Sequence, residues 1–340
     1  MNNSKLINTL PLITAISLIL TGCGGGGGGG SSTSTTPTEP STPTTPTYGV
    51  LGLTLDNYDD YSLLFNRSLY NEVTSIRTGY HTPSDDAQRL VTTLWLNPSL
   101  ASSIKTAFID TLPAGAGIHN CTTGSMTRTL TDSNNDGQIN QAGESEQLSF
   151  NNCSNGTLTV NGSMAYSIGA KTTTTLSATL SYNNLTGLQN SATQSYQGSK
   201  SVSIDTAAGL TVNSQVVTDI ISLTQSSSAS SQSTQKVGYQ SRYQETGTDW
   251  QASLAGSMEI LVNNDKASLT ITTATPLTGS MASGVYTAPR TGEYSTQWNS
   301  QSLKTSSNAD GLLTMSADLD ANGSYEVSYQ QAWDRLTIPE

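Results

Sequence analysis

Short oxygen-bearing side chains alternate along the chain from residue 132, and Gly137 ends the run. Carboxylate, amide and carbonyl oxygens are the ligands that Ca²⁺ takes in proteins, and glycine allows the sharp turn that gathers them. Without a cation, carboxylates so close together would repel one another. The spacing therefore predicts a calcium-binding loop. Its candidate ligands are Asp132, Asn134, Asp136, Gln138 and Glu144.

The order of these residues resembles the first half of an EF-hand loop. The resemblance implies that the carbonyl of Gln138 is the backbone ligand and that Ile139 anchors the loop. The end of the loop departs from the pattern, because Gly143 stands at the twelfth position and Glu144 follows one residue later. The alternative interpretation is a polar surface turn that binds no ion.

A similar pattern occurs near the C-terminus and defines a second, weaker metal candidate. Its potential ligands are Asp318, Asp320, Asn322 and Glu326. Asn322-Gly323 also stands between two alternating apolar runs, a typical signal of a two-residue hairpin turn. A plain hairpin is therefore the favoured interpretation of this segment.

The N-terminus carries an export signal. Lys5 is followed by an apolar stretch that runs from Leu6 to Leu20, which is short for a membrane span. The stretch ends in Leu20-Thr21-Gly22-Cys23, which resembles the lipobox of bacterial lipoproteins. The resemblance implies cleavage before Cys23 and a covalent lipid on its sulfur. Gly24, in place of an aspartate, favours the cell outer membrane. The alternative is an ordinary secretory signal followed by an unrelated cysteine.

Residues 24–47 form a glycine run followed by a Ser/Thr/Pro-rich tract with one charge, Glu39. Such a segment buries no apolar area, so we expect a disordered tether. A glycine-rich tether is similar to those of surface-displayed lipoproteins. The sequence leaves open whether the folded part faces the periplasm or the outside of the cell.

Two further cysteines, Cys121 and Cys153, remain after Cys23 is set aside. An even pair in an exported protein predicts a disulfide. The alternatives are two free thiols or a metal site that includes His119.

The composition excludes one class of partner. Only 11% of the 340 residues are charged, and the net charge is −11. Nucleic-acid binding needs clustered Lys and Arg, so we expect no nucleic-acid partner. The abundant Ser and Thr suit half-buried strands with one wet face.

Two periodicities divide the folded part of the chain. Between residues 48 and 115 we expect a helical region, with one helix from Tyr61 to Ile76 and a second run that starts at Ser84, is interrupted at Asn97-Pro98 and continues to Leu112. From residue 116 to residue 340 apolar residues alternate, which predicts an antiparallel β domain.

The expected fold class is mainly β with N-terminal helices (α+β). The strands are expected to form a long antiparallel meander that makes a curved sheet, half-barrel or sandwich. Asn161-Gly162-Ser163-Met164 is similar to Ala255-Gly256-Ser257-Met258, which makes an internal duplication a candidate interpretation. Glycines inside strands are expected to mark sharp bends.

No GxSxG, HExxH or P-loop motif is present in the sequence. The leading hypothesis is a non-enzymatic outer-membrane lipoprotein that presents a calcium-stabilised β domain for binding or adhesion. Its partners would be the membrane, through the lipid, and a glycan or protein of the envelope or the exterior. The alternatives are a periplasmic carrier or chaperone-like lipoprotein with an apolar cavity, and an exported hydrolase.

Overall fold

The computed structural model describes residues 48–79, 103–109, 115–137, 139–189, 191–225, 230–282 and 285–336. These residues form one mainly antiparallel sheet, and nearly all neighbours in the sheet are also neighbours in the chain. The path runs from β2 to β16 and is not closed. The strands are β1 (Gly49–Val50), β2 (Gly117–Asn120), β3 (Thr123–Thr131), β4 (Ser145–Ser154), β5 (Leu158–Lys171), β6 (Thr175–Gln189), β7 (Ala192–Asp205), β8 (Thr211–Gln225), β9 (Ser230–Thr246), β10 (Asp249–Val262), β11 (Asp265–Ala282), β12 (Val285–Tyr286), β13 (Thr291–Trp298), β14 (Gln301–Ser307), β15 (Leu312–Asp318) and β16 (Val327–Ala332). The predicted antiparallel meander is confirmed.

Two short strands lie beside this path. β12 pairs with the end of β11, and β1 pairs in parallel with the start of β11, where Val50 lies opposite Lys266. The region that the sequence predicted to be helical therefore begins with a strand.

The alternating apolar residues of the strands point to one buried face. In β5 they are Leu158, Val160, Met164, Tyr166 and Ile168, all of which are buried. Because side chains on a strand alternate between the two faces of the sheet, the other face keeps the Ser and Thr residues in water.

The glycines inside β5 and β10 lie at shifts of strand register. Gly162 has φ 89° and Gly256 has φ 140°, and a Cβ at either position would overlap the backbone of a neighbouring strand. Only glycine fits these bulges. The two glycines lie five strands apart, so the similar segments around them run in opposite directions along the sheet. A repeat of five strands in a meander has this reversed direction, so the internal duplication stays a prediction.

One long helix, α1 (Tyr58–Gly79), packs against the sheet. Asp59 and Asp60 lie in its first turn, where carboxylates interact favourably with the helix dipole. Its inward face contributes four buried side chains to the core. These are Tyr61, Phe65, Leu69 and Val73.

The helix expected between Tyr61 and Ile76 thus lies within α1. A short helical segment also occurs at Lys105–Ile109, and its Phe108 ring lies 6.2 Å from that of Phe150. The run expected to begin at Ser84 lies mostly outside the described residues. The prediction of several N-terminal helices is therefore not confirmed as a whole.

Successive hairpin connections fall at opposite ends of the strands, as a meander requires. The loop after β15 lies at the end where β1 joins β11. Asp318, the last residue of β15, pairs with Ser302 near the start of β14. In the turn before β14, Asn299 N donates a hydrogen bond to Ser268 O near the start of β11. We call this the entry end. The loop after β3, which holds the first metal candidate, lies at the other end, which we call the opposite end.

Candidate metal-binding loops

Residues 132–137 of the first loop turn back on themselves around the side chain of Asp132. The backbone amide of Gly137 donates to Asp132 Oδ2 at 2.7 Å, and the amide of Asp136 donates to Asn134 Oδ1 at 3.1 Å. Asn135 and Gly137 have φ values of 57° and 77°, the left-handed conformation that Asn and Gly adopt most readily. The loop is therefore held by its own oxygen-bearing side chains.

Glu144 closes this loop from within the core. Its fully buried carboxylate accepts hydrogen bonds from Ser133 N and Oγ (3.0 and 2.7 Å), from Asn140 N (2.8 Å) and from Gln141 N (2.7 Å). Burial alone would raise the pKa of Glu144, but these hydrogen bonds outweigh it and lower the pKa to about 2. The carboxylate that the sequence offered as a metal ligand acts in this structure as the acceptor that joins both halves of the loop.

Asp132 retains one oxygen that fits a cation. Its Oδ1 is buried and has no hydrogen-bond partner among the described residues. A buried oxygen without a partner is costly, and a bound cation would satisfy it. Asp136 Oδ2 instead accepts from Asn134 Nδ2 (2.9 Å) and Asn140 Nδ2 (2.7 Å). Gln138 lies outside the described residues.

The second loop brings its carboxylates together. Ligand oxygens of Asp318, Asp320 and Glu326 lie within 4.8 Å of one another, and Asp318 is buried. Glu326 Oε2 also accepts from Leu319 N at 2.8 Å, which holds the end of the loop against its start. Three carboxylates at this spacing are the arrangement that a divalent cation stabilises.

The two loops share one local conformation, although they lie at opposite ends of the sheet. In the second loop Gly323 N donates to Asp318 Oδ2 at 3.0 Å and Asn322 N donates to Asp320 Oδ1 at 3.1 Å. These bonds join the same relative positions as those in the first loop. Ala321 and Gly323 again have positive φ values, 60° and 88°. The shared pattern Asp-x-Asp/Asn-x-Asp/Asn-Gly thus forms the same turn, with the same two hydrogen bonds, in both loops.

The two loops use their carboxylates differently. Among the described residues, the three-carboxylate cluster forms in the second loop, whereas the first loop commits Glu144 to backbone hydrogen bonds. The two-residue hairpin favoured for Asn322-Gly323 is wrong. β15 ends at Asp318 and β16 begins at Val327, so the connection is an eight-residue loop that includes Tyr325.

The predicted disulfide between Cys121 and Cys153 is confirmed, with a Cα–Cα distance of 5.4 Å. It joins the turn after β2 to β4 at the entry end. Because both sulfurs are bonded to each other, the free-thiol and metal alternatives with His119 do not apply. Cys23 lies outside the described residues.

Glu146 belongs to an ion pair that the sequence did not indicate. It is buried, bonded to Arg128 Nε, and also receives a hydrogen bond from Tyr166. The three residues lie on adjacent strands β3, β4 and β5. Burial and the nearby Glu146 carboxylate raise the pKa of Tyr166, which therefore stays protonated as a donor. The acidity of this region is thus partly neutralised within the sheet.

The tryptophans in the described residues contribute to the core. Trp250, Trp298 and Trp333 are all buried. Exposed aromatic rings occur instead at Tyr48 and Tyr325, both at the entry end.

In the part of the chain that the structure describes, no helix has the length and apolar character needed to cross a membrane. Comparisons with protein-family models, with curated proteins and with solved structures found no match.

Proposed function

We propose that this chain is a non-enzymatic lipoprotein of the bacterial outer membrane that presents a calcium-stabilised β domain for binding or adhesion. The lipid anchor is supported by the motif Leu20-Thr21-Gly22-Cys23, which follows directly after an apolar stretch. The thiol of Cys23 would take the lipid, and residues 24–47 would tether the domain, whose partner would be a glycan or protein of the envelope or the exterior.

Calcium is the cofactor that the two loops support. In the second loop Asp318, Asp320 and Glu326 would supply carboxylate oxygens, with Asn322 beside them. In the first loop the buried Asp132 Oδ1 would be a ligand together with Asp136. Oxygen donors alone, without His or Cys, favour a hard cation such as Ca²⁺ over Zn²⁺.

We infer that the sheet curves around its buried face. Trp250 in β10 and Trp333 after β16 have ring centroids 6.3 Å apart, although five strand spacings separate β10 from β16. A flat sheet would place those strands roughly 24 Å apart. The apolar side chains on this face pack with α1 into one core, which favours display over the carrier alternative.

A hydrolase of the paired-carboxylate type would need a carboxylic acid with a raised pKa as a proton donor. The hydrogen bonds around Glu144 lower its pKa, and Glu146 is paired with Arg128. Both carboxylates therefore have structural roles, and we retain the display function.

The anchor is tested by Cys23→Ser in the full precursor. We expect the parent protein with Cys23 to fractionate with outer membranes and to carry acyl chains by mass spectrometry, and the Cys23→Ser protein to lack acyl chains and to be lost from the outer-membrane fraction. Equal fractionation of both proteins would contradict the lipid anchor. Protease treatment of intact and permeabilised cells then decides between surface and periplasmic display.

Calcium binding is tested separately by calorimetric titration of chelated mature protein. We expect heat of binding that is lost in Asp318→Asn and reduced in Asp132→Asn. Asp310→Asn is the matched control, because Asp310 is exposed in the turn after β14. No heat in the unmodified protein would contradict the calcium site while leaving the anchor intact.

A further inference from the structure

Exposed apolar and aromatic side chains concentrate at the entry end. Eight large hydrophobic side chains are exposed among the described residues, and five of them lie at this end. Tyr48, Val50 and Leu55 belong to the segment that enters the sheet, and Tyr325 belongs to the loop after β15. The fifth is Leu188, at the same end of β6, a more distant strand.

One side chain holds the entering segment next to the second loop. Gln301 Nε2 donates to the carbonyl oxygens of Leu53 (2.8 Å) and Leu319 (2.6 Å). Gln301 Oε1 also accepts from Leu53 N at 2.7 Å. The exposed residues on either side of these contacts therefore project from one rigid region.

Each of the two exposed tyrosines is paired with a lysine. Lys266 Nζ lies 5.8 Å from the ring centroid of Tyr48, and Lys304 Nζ lies 4.6 Å from that of Tyr325. Tyrosine rings and lysines with long apolar stems are the residues that settle at the boundary between headgroups and acyl chains. This composition suits a lipid surface.

The chain itself brings this end to the membrane. Residues 24–47 separate Cys23 from Tyr48, and their composition predicts a root-mean-square span of roughly 27 Å. A linker of this kind gives an effective concentration in the millimolar range, so weak contacts suffice for docking. The carboxylates of Asp56 and Asp265 lie at this end beside the two lysines, so no excess of positive charge selects anionic over zwitterionic lipid.

We propose that the entry end docks on the headgroup layer of zwitterionic phospholipid through Tyr48, Val50, Leu55 and Tyr325. This inference rests on the proposed lipid anchor. In the docked orientation the first loop, at the opposite end of the sheet, faces away from the bilayer and is available to a binding partner.

The test uses the whole mature chain with a hexahistidine tag in place of Cys23, bound to phosphatidylcholine vesicles that contain a nickel-chelating lipid. A single cysteine replaces Val50 or Val285 and carries an environment-sensitive fluorophore. These two positions are matched, since their side chains are 77% and 69% exposed and lie at opposite ends of the sheet.

We expect a blue shift and quenching by brominated lipid for the fluorophore at position 50, and neither effect at position 285. Tyr325→Ser with Leu55→Ser should reduce the shift at position 50. An unchanged spectrum at position 50, or equal shifts at both positions, would overturn the docking proposal. Because the tag replaces natural lipidation, this outcome is independent of the Cys23→Ser fractionation.

Discussion

The hydroxyl of Tyr294 on β13 donates a 2.8 Å hydrogen bond to Oδ1 of Asn66, a fully buried residue of α1. Asn66 Nδ2 donates to the carbonyl of Ser62 at 2.7 Å and to Thr305 Oγ1 at 3.3 Å. One amide side chain thus joins the helix to two adjacent strands. Burial raises the pKa of Tyr294, so that its hydroxyl remains a donor.

Replacement of Asn66 by Leu should therefore destabilise the protein by about 1–3 kcal/mol, because the Tyr294 hydroxyl would be buried without an acceptor. The free energy of unfolding in urea measures the effect. Tyr294→Phe is the partner variant, and the double variant should cost less than the sum of the two single variants. Strict additivity would show that the hydrogen bond does not couple helix and sheet.

Acid should destabilise the protein partly through Glu144. Its folded pKa of about 2 lies below the ordinary value of 4.5, so its contribution is fully present above pH 4.5 and is lost as the pH falls toward 2. The contribution is at most about 3 kcal/mol. Glu144→Gln should flatten the pH dependence of unfolding between these limits. An unchanged profile would mean that Glu144 is not the responsible carboxylate.

Calcium should raise the melting temperature mainly through the second loop. Asp320→Asn should remove most of the shift, since Asp320 belongs to the three-carboxylate cluster, whereas Asp136→Asn should remove less. Scanning calorimetry with calcium and with chelator measures both variants. The reverse ranking would show that the first loop is the stronger site.

Gly162→Ala should destabilise the protein by more than about 2 kcal/mol, because the new Cβ adds a collision with Asn184 to the strain of a positive φ. Gly156→Ala is the matched control. Its φ is 97°, but a Cβ there meets nothing within 4 Å. Equal losses in urea unfolding for the two variants would show that the collision relaxes without cost.

Removing the disulfide with Cys121→Ala and Cys153→Ala should cost about 3–4 kcal/mol, since the bond closes a loop of 32 residues in the unfolded chain. Urea unfolding of the double variant, compared with the oxidised parent, measures the loss. A loss below about 1 kcal/mol would mean that the unfolded chain is already compact there.

Period-two alternation was sufficient to predict the antiparallel meander, since each strand buries one face. It could not reveal β1, because two residues are too few for a pattern and their partner strand begins more than 200 residues later. The disulfide followed from cysteine number and the export signal.

For the two candidate metal loops, local sequence spacing predicted only part of the structure. The pattern of Asp, Asn and Gly predicted a turn at each loop, because these side chains bond to backbone amides only a few residues away, but it did not predict the eight-residue length of the second loop. The role of Glu144 depended on how β3 and β4 bring the loop ends together, which local spacing does not contain. Arg128 likewise gave no signal for its pairing with Glu146 across adjacent strands.

The consecutive order of the strands has a consequence for a chain that is synthesised from its N-terminus. Each strand from β3 to β11 can pair with the strand that precedes it in the chain, so the sheet can grow hairpin by hairpin. β1 can pair only after β11 has been synthesised, and α1 can pack on the sheet only after β14 and β15 have been synthesised. The first part of the folded domain to be synthesised is therefore the last to find its place, so the β1 and α1 segments stay unpaired while the central strands assemble.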